Sequence, residues 1–302
     1  MKHLSAVFGS VLVFFALSCH SAENAAANKE MPATVHLFSC DDCDIYSIQD
    51  QENRMAGSLF KRFNIPGEVK LQAAYPASVN VFLIRKHQTG QYILIDAGFG
   101  NVRSQLLKSL AALGVAPEKI SAVFITHIHP DHVGGLLAPG GKVAFPSAKI
   151  YIAKKEYISW RQDPSRMRLI NCLRPYGNAL ILLDYDKDST GLGIIPHCYP
   201  GHTPGHTVYS CTVRHHDNKN KSWTETLWFV GDIIHAADLQ IAHPDFCARY
   251  DMDPKTAVAS RKALLRGSDT WFGAHIPFPG KITIIRKKSA DGSERFEYQA
   301  AN

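Results

Sequence analysis

The sequence predicts an α/β layered domain, on three observations. Short β-branched and aliphatic runs alternate with amphipathic stretches. No internal repeat or low-complexity linker interrupts them. Histidines and aspartates of metal-ligand type fall just after several of the runs, where a layered fold can gather residues distant in sequence at one rim.

The elements follow in order. Residues 79–85 and 92–96 read as consecutive strands joined by a turn at 87–90. Residues 102–113 read as a helix closed by Gly114, and 122–126 as a buried strand. A strand at 149–153 leads into a helix from Lys154. Further strands are expected at 179–183, 193–199, 208–213 and 227–230. His215 and His216 lie in a polar run ending near Lys221, read as a solvated hairpin loop. Pro254 opens a helix reaching Leu265, and runs at 271–274 and 282–285 complete the pattern.

Composition bounds the rest. The chain has 302 residues, 45% hydrophobic and 20% charged, which suits an ordinary globular protein able to bury a sizeable core. The formal charge of +6 is mild and its lysines and arginines are scattered, so no phosphate-tracking surface, and no nucleic-acid partner, is expected. The 15 histidines are the unusual feature, since neutral imidazole is the commonest protein metal ligand.

The amino terminus reads as an export signal over residues 1–22, with Lys2 and His3 ahead of an apolar run at 4–17 too short for a membrane span. A flexible leader at 23–33 then enters a single domain at 34–300. The preferred reading is a soluble periplasmic or extracellular product; cleavage before Cys19, with a lipid anchor there, is the competing one. Without Cys19 the remaining cysteines are Cys40, Cys43, Cys172, Cys198, Cys211 and Cys247, whose even count permits disulfides in an oxidising compartment. Only Cys40-Asp41-Asp42-Cys43 is a tight pair. No second CxxC follows to complete a zinc site, leaving a local disulfide or two inert thiols.

The strongest signal is Thr126-His127-Ile128-His129-Pro130-Asp131-His132. On an extended segment His127, His129 and Asp131 share one side, and a turn after Pro130 can bring in His132. Four ligands so close together suit two adjacent ions about 3.5–4 Å apart. Gly134 and Gly135 are read as a tight return where side chains would crowd the ions. A second segment, Pro200-Gly201-His202-Thr203-Pro204-Gly205-His206, fixes a loop around two imidazoles; His202 is the candidate ligand and His206 a supporting neighbour. Asp232, after Phe229-Val230-Gly231, can give one carboxylate oxygen to each ion, and His275 completes the second ion's set.

The order HxHxDH, PGHTPGH, GD and a late histidine resembles the metallo-β-lactamase superfamily, and Asp96 in Leu94-Ile95-Asp96-Ala97-Gly98 matches its early strand-end aspartate. The resemblance covers residues 79–280 and implies an αβ/βα four-layer sandwich with two metals, zinc first, at one edge. Gly231-Asp232-Ile233-Ile234-His235, Asp251-Met252-Asp253-Pro254 and His275-Ile276-Pro277-Phe278-Pro279-Gly280 are similar to the branch holding methyl parathion hydrolases and related lactonases. It implies His127, His129 and His202 on the first metal, Asp131, His132 and His275 on the second, Asp232 bridging, and Asp96 orienting the site. His235 stands where several N-acyl-homoserine lactonases have a tyrosine. Class B1 β-lactamases have a cysteine in place of Asp232, so the superfamily name does not define the activity.

The expected reaction is hydrolysis by a hydroxide held between the ions, with Asp131, Asp232 and His235 as candidate catalytic side chains. Lactones or small esters rank first as substrates and organophosphate triesters second. The alternatives are an iron-dependent oxidoreductase of the same superfamily and a non-catalytic exported metal-binding protein. Gly98-Phe99-Gly100 lacks the third glycine of a dinucleotide loop, and Ser58-Leu59-Phe60-Lys61 matches a serine β-lactamase motif by spelling alone. Phe60, Phe63, Tyr75, Trp160 and Phe278 are read as core before pocket lining.

Overall fold

Two apolar layers share the central strands, and the side-chain alternation along each strand divides them. In β5 (Tyr92–Ile95) and β6 (Ile120–Ile125), Ile93, Ile95, Ala122 and Phe124 enter the core between two sheets. Leu94, Val123 and Ile125 enter the core beneath the helices. Strands covered on both faces read as nearly continuous hydrophobic runs, which is why these were legible. Each fully buried side chain of this size contributes about 1.5–3 kcal/mol.

The computed structural model describes residues 31–63, 69–219, 221–289 and 291–301. The expected export signal, Cys19 and most of the leader lie outside these residues. Residues 32–302 hold together as one unit. The first sheet runs β1 (Val35–Ser39), β2 (Cys43–Ala56), β4 (Ala74–Lys86), β5, β6, β7 (Lys149–Ala153), β8 (Leu180–Leu183). The second runs β15 (Glu294–Ala300), β14 (Lys281–Lys288), β13 (Thr270–Gly273), β11 (Ser222–Gly231), β10 (Thr207–His216), β9 (Ile195–Cys198). A small pair joins β3 (Phe60–Arg62) to β12 (Phe246–Ala248).

Helices α1 (Leu106–Ala112) and α3 (Lys154–Arg161) contribute Leu106, Leu110 and Trp160 to the outer core of the first sheet. Helix α4 (Pro254–Gly267) lays Leu264 and Leu265 on the outer face of the second, against Val208 and Trp271. Helix α2 (Pro130–Val133) is a single turn in the loop after β6. The order helix, sheet, sheet, helix is the expected four-layer sandwich.

Four expectations change. The helix expected at 102–113 begins only at Leu106, because the buried Asp50 carboxylate on β2 accepts the Gln105 and Leu106 N–H groups at 3.0 Å each and caps it from a distant strand. The expected loop at 215–221 is shorter: His215 and His216 end β10, and His215 stacks on Trp223 and meets Glu225 at 3.0 Å. Strands β1 and β2 carried no readable apolar run, since the far half of β2, Gln51-Glu52-Asn53-Arg54, is polar. Phe60, Tyr75 and Trp160 are buried as expected, but Phe63 lines a surface cavity of about 520 Å³.

Candidate metal centre

Strand ends deliver the site. His127 follows β6, His202 follows β9, Asp232 follows β11 and His275 follows β13, so both sheets feed one edge. The extended run of the first motif stops at His129; Pro130 occupies the first position of α2, so Asp131 and His132 reach the site from a helical turn. That corrects the expected period-two alternation through Asp131.

Seven donor residues converge. Ligand atoms of His127, His129, His202 and Asp232 lie within 4.8 Å of one another, as do those of Asp131, His132 and His275. Asp232 stands between the sets, its carboxylate 3.1 Å from Nε2 of His132 and of His275, 3.2 Å from that of His202 and 3.6 Å from that of His127. His235 joins them, with Nε2 3.2 Å from Asp232.

Four of the imidazoles are turned by a partner on Nδ1. His132 Nδ1 sits 2.8 Å from Asp96, which also accepts the Thr126 N–H and hydroxyl at 2.8 Å. Asp96 adopts φ 62°, an uncommon left-handed conformation, to make these contacts. His275 Nδ1 donates to the Ser78 carbonyl at 2.9 Å. His202 Nδ1 donates to Asp251 at 3.0 Å. His206 donates from Nδ1 to the Tyr199 carbonyl and accepts the Asp232 N–H at Nε2, 3.0 Å away, so it holds the aspartate's backbone. These bonds fix ring orientation and leave the remaining nitrogens of the other three facing inward.

The residues fit divalent cations. His129 Nδ1 lies 2.9 Å from Nε2 of both His127 and His202. Three ring nitrogens thus crowd together at hydrogen-bonding distance, an arrangement that a cation taken up among their lone pairs would satisfy. His132 Nε2 and Asp232 Oδ1 are buried without an aligned hydrogen bond, as donors reserved for another partner would be. Burial and the neighbouring His202 push the His129 imidazole down to about 2, and burial with His132 lowers His127 as well, so both present lone pairs. Burial opposes ionisation of Asp232, but the surrounding histidines outweigh it and hold the carboxyl well below its ordinary range. Nitrogen and carboxylate donors in this number suit divalent transition-metal cations.

Two residues that the sequence did not single out as functional organise the centre. Asp251 accepts from His202 and from the Ala248 N–H at 3.0 Å; burial opposes its charge, yet His202 and Arg261 bring it down to about 2. Glu156, fully buried on α3, accepts the Ile128 N–H at 3.0 Å, the Thr203 hydroxyl at 2.8 Å and the Gly205 N–H at 2.9 Å. It therefore ties the first histidine loop to the second. A lone glutamate in an amphipathic stretch looks like a solvated face, and nothing in its neighbours signals otherwise.

The glycines have a different reason from the one expected. A Cβ on Gly134 or Gly135 would lie 2.0 Å from Phe99 O or 1.9 Å from Ala97 O, so they serve backbone packing against the loop after β5, rather than room for ions. A Cβ on Gly205 would lie 2.2 Å from the Glu156 N. Gly205→Ala is expected to cost about 1–3 kcal/mol by overpacking and to weaken zinc binding, read by denaturant unfolding and zinc titration. Unchanged stability would count against the close approach.

The centre opens into a cavity of about 310 Å³, walled by Asn53, Arg54, Met55, Leu59, Phe99 and Tyr250. The polar half of β2 thus forms the mouth. Elsewhere, Asp186, His197 and Ser210 form a chain with both hydrogen bonds at 2.9 Å, in the order of a hydrolytic triad. Their exposure is inverted: Ser210 is 5% exposed within β10, while the Asp186 side chain is 75% exposed. A nucleophile must meet substrate, so this chain braces β9 on β10.

The family model of the metallo-beta-lactamase superfamily matches residues 74–219. A solved structure described as hydrolase AbOPH in the beta lactamase superfamily superposes with a TM-score of 0.73 at 27% identity, over 90% of this chain and 99% of that one. AidC, described as a dizinc quorum-quenching lactonase, superposes at 0.70 with 24% identity over the same shares, a likeness of fold. Mouse metallo-beta-lactamase domain-containing protein 1 is 50% identical over 44 residues, 15% of this chain and 17% of that protein. The segment 74–219 therefore matches the metallo-β-lactamase superfamily, and the described residues adopt the metallo-β-lactamase fold. Family, fold and donor set together support a metal-dependent hydrolase.

Proposed function

We propose that the protein is a dinuclear zinc hydrolase acting first on lactones or small esters and second on phosphotriesters. The observation that carries this is the sharing of Asp232 between two donor sets at the foot of one cavity. His127, His129 and His202 would hold one ion, Asp131, His132 and His275 the other. When bound, such ions supply Lewis acidity, lowering the pKa of water and polarising a carbonyl or phosphoryl oxygen.

The chain's own groups do the rest. Asp131, the most exposed carboxylate of the set, faces the cavity and is placed to receive a proton and pass it to the leaving oxygen. His235 lines the same cavity, and neither ring nitrogen has an aligned hydrogen-bond partner. Burial lowers its imidazole, so it is neutral with one N–H to donate to a substrate oxygen, the task a tyrosine performs in the lactonases resembled. Met55, Leu59 and Phe99 supply apolar walls for an acyl or aryl group.

His235→Ala is expected to lower kcat for lactones about 10²-fold with both ions retained. Unchanged kcat would remove it from the mechanism. The test of the whole reading is metal quantification with a panel of lactones, aryl esters, phosphotriesters, thioesters and β-lactams. Two zinc ions per chain and turnover of a lactone or ester support it; one iron per chain, or no hydrolysis at full zinc loading, overturns it. We further propose export of a soluble product, on the amino-terminal apolar run, to be tested by sequencing the mature amino terminus.

A further inference from the structure

We propose that Cys40 and Cys43 close into a disulfide across the turn between β1 and β2, by exchange with an external disulfide. The strand register sets Ser39 opposite Asp44, so Cys40 and Cys43 are the facing pair that bounds the two-residue turn Asp41-Asp42. The Cys40 N–H donates to the Cys43 carbonyl at 2.9 Å. Facing residues of an antiparallel pair have their Cα atoms about 4.5–5.5 Å apart, inside the roughly 4.4–6.8 Å that a disulfide spans.

The side chains meet as the backbone requires: the two thiols are hydrogen-bond partners. That bond, followed by burial, raises Cys40; the same bond, helped by Lys86 and His87, lowers Cys43 despite its burial. Cys40 is half-buried and Cys43 fully buried. One sulfur is therefore reachable from solvent, and the other waits beside it with the larger thiolate character.

The turn is already fixed where closure needs it. The Asp41 N–H donates to the Arg214 carbonyl at 2.9 Å, and the His87 N–H to the Asp42 carbonyl at 3.0 Å. Cys211, from the second sheet, is the rival partner, buried in the same apolar cluster. It lacks the backbone pairing that sets Cys40 against Cys43.

The chemistry balances. Cys43, the sulfur with the larger thiolate character, takes the Cys40 proton as the exposed Cys40 sulfur attacks a disulfide RSSR, forming a mixed disulfide and releasing one RSH once the leaving thiolate is protonated. The Cys43 sulfur then attacks the Cys40 sulfur and releases the second RSH. Two electrons and two protons pass from the thiol pair to RSSR. The inference stands apart from the hydrolase reading, since neither cysteine belongs to the metal centre.

The test incubates the intact protein with oxidised glutathione, quenches it with acid, alkylates it in denaturant with N-ethylmaleimide and maps the peptides by mass spectrometry. The expected product carries no label on Cys40 or Cys43, and the peptide holding them has lost the mass of a hydrogen pair. Cys172, Cys198, Cys211 and Cys247 keep full labelling. In Cys43→Ser, Cys40 is expected to remain as a glutathione adduct, because the resolving sulfur is gone. In Cys40→Ser, a change at the more open position, Cys43 is expected to be labelled. Label on both cysteines of the oxidised wild type, a bridge from Cys43 to Cys211, or a lasting glutathione adduct on wild-type Cys40 would each overturn the proposal.

Discussion

Asp232→Asn is expected to abolish hydrolysis and metal loading together, with kcat/KM falling by more than about 10²-fold. Groups that merely orient metal ligands are worth about 10–100-fold in metal affinity or activity. The carboxylate that faces both donor sets should exceed the upper end of that range. Five imidazoles approach Asp232, those of His127, His132, His202, His235 and His275. Removing its charge leaves buried histidines without their anionic partner. Loss of a partner from a buried ionic cluster costs about 3–5 kcal/mol, so the metal-free variant should also unfold more easily. Elemental analysis and thermal unfolding with and without zinc read both effects. Wild-type protein stripped by a chelator should regain activity when zinc is returned, whereas the variant should not. Normal metal content and full turnover in the variant would remove Asp232 from the centre.

Glu156→Ala should produce the second largest effect, without touching a candidate ligand. Its carboxylate holds N–H groups of Ile128 and Gly205, the Thr203 hydroxyl and the Trp160 indole. Each buried donor left unpaired costs about 1–3 kcal/mol, so a stability loss of at least about 3 kcal/mol is expected. Because Ile128 lies between His127 and His129, and Thr203 follows His202, both ligand loops lose their common anchor. Zinc affinity should drop about 10–100-fold. Denaturant unfolding and calorimetric zinc titration measure the two separately, and unchanged zinc affinity would mean that the loops are held by other contacts. Restoration of affinity in Glu156→Gln would assign the effect to shape rather than charge.

Both variants address features of unequal legibility. The strands β5, β6 and β7 and the end of β11 are visible in the sequence because they are covered on both faces and their apolar residues run together. Strands β1 and β2 lack such a signature because an edge strand and the polar wall of a cleft need no such run. The helix expected from residue 102 was overextended because its cap comes from Asp50, on a strand over fifty positions earlier in the chain. A capping signal at that distance has no local signature.

What the sequence determined by itself is the inventory of candidate donors and its order, from His127 through His275, because ligand chemistry needs those residue types clustered in a few short segments. It also determined the layered class, through the burial pattern of the central strands. Only the tertiary structure decided how the donors are aimed. Asp251 and Glu156 reach the centre from separate elements without a sequence signal, and Asp96 and His206, expected as supports, find their partners only across the fold. The same holds for the cavity wall, where Arg54, Phe99 and Tyr250 meet only after β2 and the loops beyond β5 and β12 have packed. Ligand identity is written in local composition, whereas orientation and access depend on contacts across long sequence separations, which local pattern does not encode.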